Sequence, residues 1–305
     1  MAGGLATSAG CLDRPVDDRN PTLGTTFSTD VTSKVIDKID ILFDIDNSAS
    51  MGDKQDYLKA AIPDLVNRFI NPNCVDSTGA ATGASVGGTC PTGQTTEFAP
   101  IRDLHLGIIS SSLGSRGGNE CVATTNAQPP FANVLAHDDD RAHLLNRTLT
   151  FSSGGSAVSE GTLADAPAMD PFLYWFPSPG PGNAAGPGAP LADAGAYVQD
   201  FADLVQGTGV FGCGIESQLE SWYRFLVQPD PYDSITADAG IASWAGLDST
   251  IIQQRHDFLR PDSLVLVVVL SDENDSEIDV RSIGGQAVAW MQGGLPLPHG
   301  TSACS

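Results

Sequence analysis

The sequence predicts an α/β fold, a doubly wound and mostly parallel central sheet flanked by helices, on three observations. Short apolar runs, Ile39 to Ile45, Leu104 to Ser112 and Ser263 to Leu270, read as strands too short for helices and too apolar for edges. Amphipathic helical spacings alternate with them, the pattern of a parallel sheet with crossover helices. Each run ends in a polar or Gly-rich turn, the place where such sheets build their sites. A length of 305 residues suits one such domain with embellishments.

Taken in order, residues 1–33 are polar, with Pro and Thr, and read as an extended tether. Met1 to Gly10 is too short and too weakly apolar for a complete signal peptide. Ser8-Ala9-Gly10-Cys11 resembles the tail of a bacterial lipobox without its leading Leu, which makes Cys11 a candidate lipid anchor. The domain proper is assigned to 34–305. Its first strand, Ile39 to Ile45, is central and parallel. Leu58, Ala61, Ile62, Leu65, Val66 and Phe69 then recur at helical spacing, giving a helix over about 52–70 that Pro63 should kink or restart. Residues 75–97 read as a low-complexity loop that Cys74 and Cys90 bracket and are able to close. Leu104 to Ser112 is the second strand, followed by the turn Leu113 to Gly118. Residues 153–190 are a Gly/Pro/Ala/Ser-rich insertion in which no regular structure is expected. Tyr197, Phe201, Leu204 and Val205 mark a helix with Asp193 as a candidate cap, and Ile215, Leu219, Trp222 and Leu226 mark the next, ending before Pro229. Ser263 to Leu270 is the strongest strand and reads as buried on both faces. The chain stops at Ala303-Cys304-Ser305 without a helix end, which reads as a truncation.

Composition narrows the function. The formal charge of -22 leaves no basic stripe for nucleic acid and disfavours electrostatic adsorption to anionic lipid. It favours cation loading and solubility in a salty exterior. Six cysteines are spread singly, with no CxxC, so disulfides in an exported protein fit better than zinc or a redox motif.

The chemistry concentrates at Asp46-x-Ser48-x-Ser50, on the turn between the first strand and the first helix. Alternate residues of an extended turn point the same way, so one carboxylate and two hydroxyls converge. Hard oxygen donors of this kind suit Mg²⁺, Mn²⁺ or Ca²⁺. The bland alternative is a Ser-rich helix cap. Asp272, in Ser271-Asp272-Glu273-Asn274-Asp275-Ser276, lies at the same end of another strand. Asp44 is an acid inside the central strand, and a buried carboxylate must be protonated, hydrogen-bonded or near a cation.

With these two acidic turns the chain resembles a von Willebrand factor A domain, whose metal-ion-dependent adhesion site has this motif. More narrowly, it is similar to the A-domain proteins of myxobacterial cell envelopes, often lipoproteins. The likeness rests on Cys11-Leu-Asp-Arg-Pro-Val16, Asp46-Asn-Ser48, Asn71-Pro-Asn-Cys74-Val-Asp76, Gly212-Cys-Gly-Ile-Glu216 and Leu259-Arg-Pro-Asp-Ser263, the last running into Ser271-Asp-Glu-Asn-Asp275. The resemblance implies that Ser48 and Ser50 bind a divalent cation directly, Mg²⁺ foremost with Ca²⁺ or Mn²⁺ as alternatives. Asp46 and Asp272 would act largely through water, and a carboxylate of a protein partner would complete the site. It implies a non-enzymatic adhesion domain, exported to the cell envelope, outer-membrane surface or exterior. The family's usual threonine is missing from Gly212 to Glu216. Glu216 is the better substitute ligand and an equally good helix cap, whereas Cys213 is a poor ligand for a hard cation. A Cys213–Cys121 disulfide is expected, since both loops should share one end of the sheet.

Two other functions compete. Asp44-Ile-Asp46-Asn-Ser48 also resembles the nucleophile motif of haloacid-dehalogenase-type phosphatases, with Asp272 and Asp275 holding Mg²⁺. That chemistry needs a cationic side chain, and with no lysine after Lys59 only an arginine such as Arg255 or Arg260 is left. The other is an A domain that has lost its cation and serves as an assembly scaffold. Asp272-x-Asn274-x-Ser276-x-x-Asp279 lacks the central Gly and distal Glu of an EF-hand, and reads as a strand exit whose Asp272 serves the first site. His137-Asp-Asp-Asp-Arg-Ala-His143 reads as a solvated loop leading into a helix rather than a transition-metal site. Trp175, Trp222, Trp244 and Trp290 read as core or loop anchors.

Overall fold

A computed structural model describes residues 36, 38–101, 103–114, 137–152, 158–163, 171–175, 194–238, 241–275 and 281. All of them lie in one compact unit, Val35–Leu295. The tether at 1–33, Cys11, Cys121, Asp193, Ser276, Asp279, Trp290 and the chain end fall outside the described residues.

The elements run β1 (Lys38–Ile45), a 3₁₀ turn (Ala49–Met51), α1 (Gly52–Ile70), β2 (Asn73–Val75), β3 (Ala81–Ala84), β4 (Thr95–Thr96) and β5 (Asp103–Ser110). There follow β6 (Arg147–Phe151), β7 (Val158–Thr162), β8 (Leu173–Trp175), α2 (Ala194–Thr208) and α3 (Gln218–Leu226). The last are β9 (Ser234–Asp238), β10 (Ile241–Ala245), α4 (Ser249–Phe258) and β11 (Leu264–Leu270). The main sheet has the order β11-β1-β5-β8. Its first three strands are parallel, and β8 closes one edge antiparallel to β5. This is an α/β fold with a mixed sheet, parallel at its centre.

Strand periodicity explains how β1 serves two cores at once. Ile39, Ile41, Phe43 and Ile45 pack with Ile62, Val66 and Ile70 of α1 and Tyr197, Phe201 and Leu204 of α2. The Phe43 and Phe201 rings lie 4.9 Å apart. On the opposite face Leu42 and Ile109 meet Phe225 of α3 and Ile251 and Phe258 of α4. Each such fully buried apolar side chain contributes about 1.5–3 kcal/mol. Asp40 also lies on this second face, fully buried, where Arg260 Nε (2.8 Å), Arg260 N (3.0 Å) and the Ser263 hydroxyl satisfy it.

Several expectations need correction. Among the described residues β11 pairs with β1 alone and stands at the edge of the sheet, and Leu264, Val265 and Val269 are each 44% exposed. Its apolar sequence reflects contact of Leu266, Val268 and Leu270 with the α1/α2 core, not full burial. The loop expected over 75–97 carries strands: β2, β3 and β4 form a small antiparallel sheet, which the predicted Cys74–Cys90 disulfide closes. The insertion at 153–190 contributes β7, paired with β6, and β8, whose Leu173 and Trp175 enter the core. Residues 137–143 lead into a strand, β6, not a helix. α1 runs continuously through Pro63, with no restart. Trp244, on the β9–β10 hairpin, is 44% exposed and anchors no core, whereas Trp175 is buried.

Candidate cation site

At the carboxyl end of β1 the backbone turns out of the sheet, and Asp46 N donates its last ladder bond to Leu270 O of β11 (2.9 Å). β11 ends beside it, so Ser271 and Asp272 arrive at the same corner. The contacts there form one chain. Asp46 Oδ1 accepts from Ser48 N (2.8 Å), an Asx-type turn that fixes the loop, and Asp46 Oδ2 accepts from Ser271 Oγ (2.8 Å). Ser48 Oγ lies 3.1 Å from Ser50 Oγ, which donates to Asp272 Oδ1 (3.0 Å). Asp46, Ser48, Ser50 and Asp272 are thus one hydrogen-bonded cluster, joined across 222 residues of sequence.

Neither Ser48 nor Met51 caps the following helical turns through a side-chain bond, so the helix-cap reading of these serines is not what the geometry displays. Partial desolvation raises the Asp272 carboxyl, and hydrogen bonds from Lys54 and Ser50 more than offset it, leaving it below its ordinary value. Lys54 Nζ lies 3.2 Å from Asp272 Oδ2, donates to Ser50 O (3.1 Å) and pairs with Asp53 (2.8 Å).

Glu216 reaches the same end of the sheet but makes no hydrogen bond to the cluster. It is 2% exposed, and its Oε2 has no hydrogen-bond partner. Burial pushes its carboxyl up, and Glu273, Asp46 and Asp272 push the same way. The N-cap position of α3 is Ser217, so Glu216 is not its cap. Asp44 is fully buried with neither oxygen hydrogen-bonded. Burial, then the charges of Asp275 and Asp46, hold it well above the ordinary carboxylate range.

Asn47 holds the surrounding loops together. Its Oδ1 accepts from Ser112 Oγ (2.6 Å), its Nδ2 donates to His137 O (3.2 Å), and its backbone O accepts from Gly212 N (2.8 Å). Gly212 is glycine because a Cβ there would stand 2.0 Å from Asn47 Oδ1 and 2.5 Å from Ser112 Oγ. Gln55, buried on the first turn of α1, donates to Asp46 O (3.3 Å) and Gly209 O (2.8 Å). A cleft of about 370 Å³ opens beside it, lined by Gly52, Gln55, Lys59, Leu149, Phe151 and Val210. Cys213 is disulfide-bonded, so it is neither a free thiol nor a ligand, and its partner lies outside the described residues.

Sequence reading missed Asn47, Gln55 and Lys54. A glutamine or lysine in an amphipathic helix carries no signal of a contact made across the fold. Ser271 was missed as well, although it directly precedes Asp272 at a strand end.

The other candidates disperse. His137 Nε2 meets Glu160 (2.7 Å) and His143 Nε2 meets Asp248 (2.8 Å), two separate partners. Among the described residues no three His, Cys, Asp or Glu side chains are grouped to hold a metal ion. The donor set at the corner is instead two carboxylates and two hydroxyls, a hard-oxygen set matching Mg²⁺ or Ca²⁺ rather than zinc. No family model, curated protein or solved structure matches the chain.

Proposed function

We propose that the chain is a doubly wound domain of the von Willebrand A type, whose function is cation-dependent binding of an acidic protein partner. The observation that carries this reading is the bonded chain Ser271–Asp46–Ser48–Ser50–Asp272 at the carboxyl end of two adjacent parallel strands. Such corners are where open α/β sheets hold ligands. Ser48 and Ser50 would hold the cation through their hydroxyls, and Asp46 and Asp272 would balance its charge. Mg²⁺ is the first candidate. The cation, once bound, supplies a Lewis-acid position for a carboxylate of the partner. Glu216 is an outer ligand at most.

An exported location fits the Cys74–Cys90 disulfide, since such bonds persist in oxidising compartments. The phosphatase reading is disfavoured by access and charge. A nucleophile has to meet its substrate, and Asp44 is fully buried under α3. Arg260 is engaged by Asp40 and Ile39 O at the opposite end of β1, and Arg255 by Phe225 O and Arg224 O.

Thermal unfolding with Mg²⁺ or EDTA tests the proposal. At a hundredfold excess over its dissociation constant, Mg²⁺ should stabilise the wild type by about 2.7 kcal/mol and Asp46→Ala not at all. Equal melting temperatures in Mg²⁺ and EDTA would return the chain to a cation-free scaffold.

A further inference from the structure

Lys54 is held by three oxygens at the candidate site: Asp272 Oδ2 (3.2 Å), Ser50 O (3.1 Å) and Asp53 Oδ1 (2.8 Å). Two of these three residues belong to the proposed cation cluster. Among the described residues, Lys54 is the cationic side chain within ion-pair reach of Asp272. The rest of the neighbourhood is acidic: Glu273, Asp46 and Asp272 act on the charge of Glu216, and Asp275 and Asp46 on that of Asp44. An ammonium here does in part what a divalent cation would do. It neutralises Asp272 and ties it to the Ser50 turn.

The pair is weak enough to yield. The Lys54 side chain is 39% exposed and that of Asp272 26% exposed. Exposed pairs of this kind contribute little, because both ions remain largely solvated. A doubly charged ion bound at Asp272 would repel the ammonium, and four rotatable bonds let it swing outward. It would then be free to meet an anionic group of a partner near Ser50 and Asp272.

We propose that Lys54 is a tethered competitor for the cation site, and that its displacement turns it into a second anchor for a partner segment bearing two neighbouring carboxylates. This rests on the cation reading above and names the regulation and ligand class of that same site. One carboxylate would meet the cation and the other the freed ammonium. Because the second contact requires Lys54 to have left Asp272, cation and diacidic ligand would each strengthen the binding of the other, as linkage demands.

The test uses Mn²⁺ as the metal probe, followed by calorimetry, and two capped peptides, one with an Asp-Asp pair and one with Asp-Ala. Lys54→Met should bind Mn²⁺ about two- to fivefold more tightly than wild type at low ionic strength, since the ion pair that the metal must displace is removed. Lys54→Arg should stay near wild type. In saturating Mn²⁺ the wild type should prefer the Asp-Asp peptide, and Lys54→Met should lose that preference while still binding the ion. Unchanged or weaker Mn²⁺ binding by Lys54→Met would overturn the competitor role. Equal affinity of the wild type for the two peptides would overturn the anchor role. If neither protein binds Mn²⁺, the cation reading itself fails and this inference goes with it, a result separable from the other two. Far-UV circular dichroism of each variant excludes misfolding as the cause.

Discussion

Asp44 is the residue most at odds with its surroundings. It lies one residue from the end of β1, on the face that carries Leu42, and has no hydrogen-bond partner for either oxygen. Its folded pKa is raised, so the native state holds a proton that the unfolded chain releases above about pH 4. Stability therefore falls as pH rises from there toward the folded pKa. Asp44→Val should raise stability at pH 7 by about 1–3 kcal/mol, the cost of an unsatisfied buried polar group, and the gain should shrink near pH 4. Urea unfolding at the two pH values checks this. A loss of stability at pH 7 would mean that Asp44 has a partner, with a bound cation the first to examine. At this scale the sequence reveals a residue's chemistry when its partners are neighbours. Asp46, Ser48 and Ser50 were legible because they are near neighbours in sequence, brought together by the Asx-type turn at Asp46 and the 3₁₀ turn that holds Ser50. Asn47, Gln55 and Lys54 were not, because their contacts span separations of 65 to 218 residues or depend on a helix face turning toward another loop.

Among the elements, β11 shows what hydrophobicity does and does not encode. Seven consecutive apolar residues correctly marked a strand, whose parallel pairing with β1 only the structure reveals. They did not reveal its place at the edge of the sheet among the described residues, because a strand's side chains record what lies on its faces, not whether a second strand lies beside it. β8 was hidden for the converse reason: three residues inside a Gly/Pro-rich stretch carry too short a pattern to read, although they pair with β5. The positions separate sharply in energy. Ile41 is 1% exposed in the α1/α2 core, so Ile41→Lys places an unpaired charge there and should prevent folding. Val265, 44% exposed, should accept Val265→Lys at a cost of about 1 kcal/mol or less. Denaturant midpoints of the two variants decide it. Comparable losses at both positions would show that the α3/α4 side of β11 is covered in solution.

For the molecule as a whole, the surface carries the net charge of -22 on fewer cations, because several arginines are committed inside, each with one carboxylate. Arg260 pairs with Asp40, Arg147 with Asp140 and Arg224 with Asp248, and each of those carboxylates is nearly or fully buried. The last is the most consequential. Asp248 caps α4 through Ile251 N (3.2 Å) and accepts from Arg224 Nη2 (3.0 Å) and His143 Nε2 (2.8 Å), fastening α3, α4 and the 141–143 turn together. Burial raises its carboxyl, but His143, the Ile251 N–H and Arg141 outweigh that and hold it down to about 2, against an ordinary 3.8. A depressed folded pKa stabilises the protein above the unfolded value, and this stability is lost as pH falls from about 4 toward 2. The contribution at neutral pH is on the order of 2 kcal/mol. Asp248→Asn should cost more than that, about 3 kcal/mol or above, because Arg224 is 1% exposed and would lose the buried carboxylate it pairs with. The difference between wild type and variant, followed by urea unfolding, should narrow as pH drops below 4 and the wild-type carboxylate takes up its proton. A difference that stayed constant down to pH 2.5 would show that Asp248 acts through α4 capping geometry alone, with its charge contributing nothing.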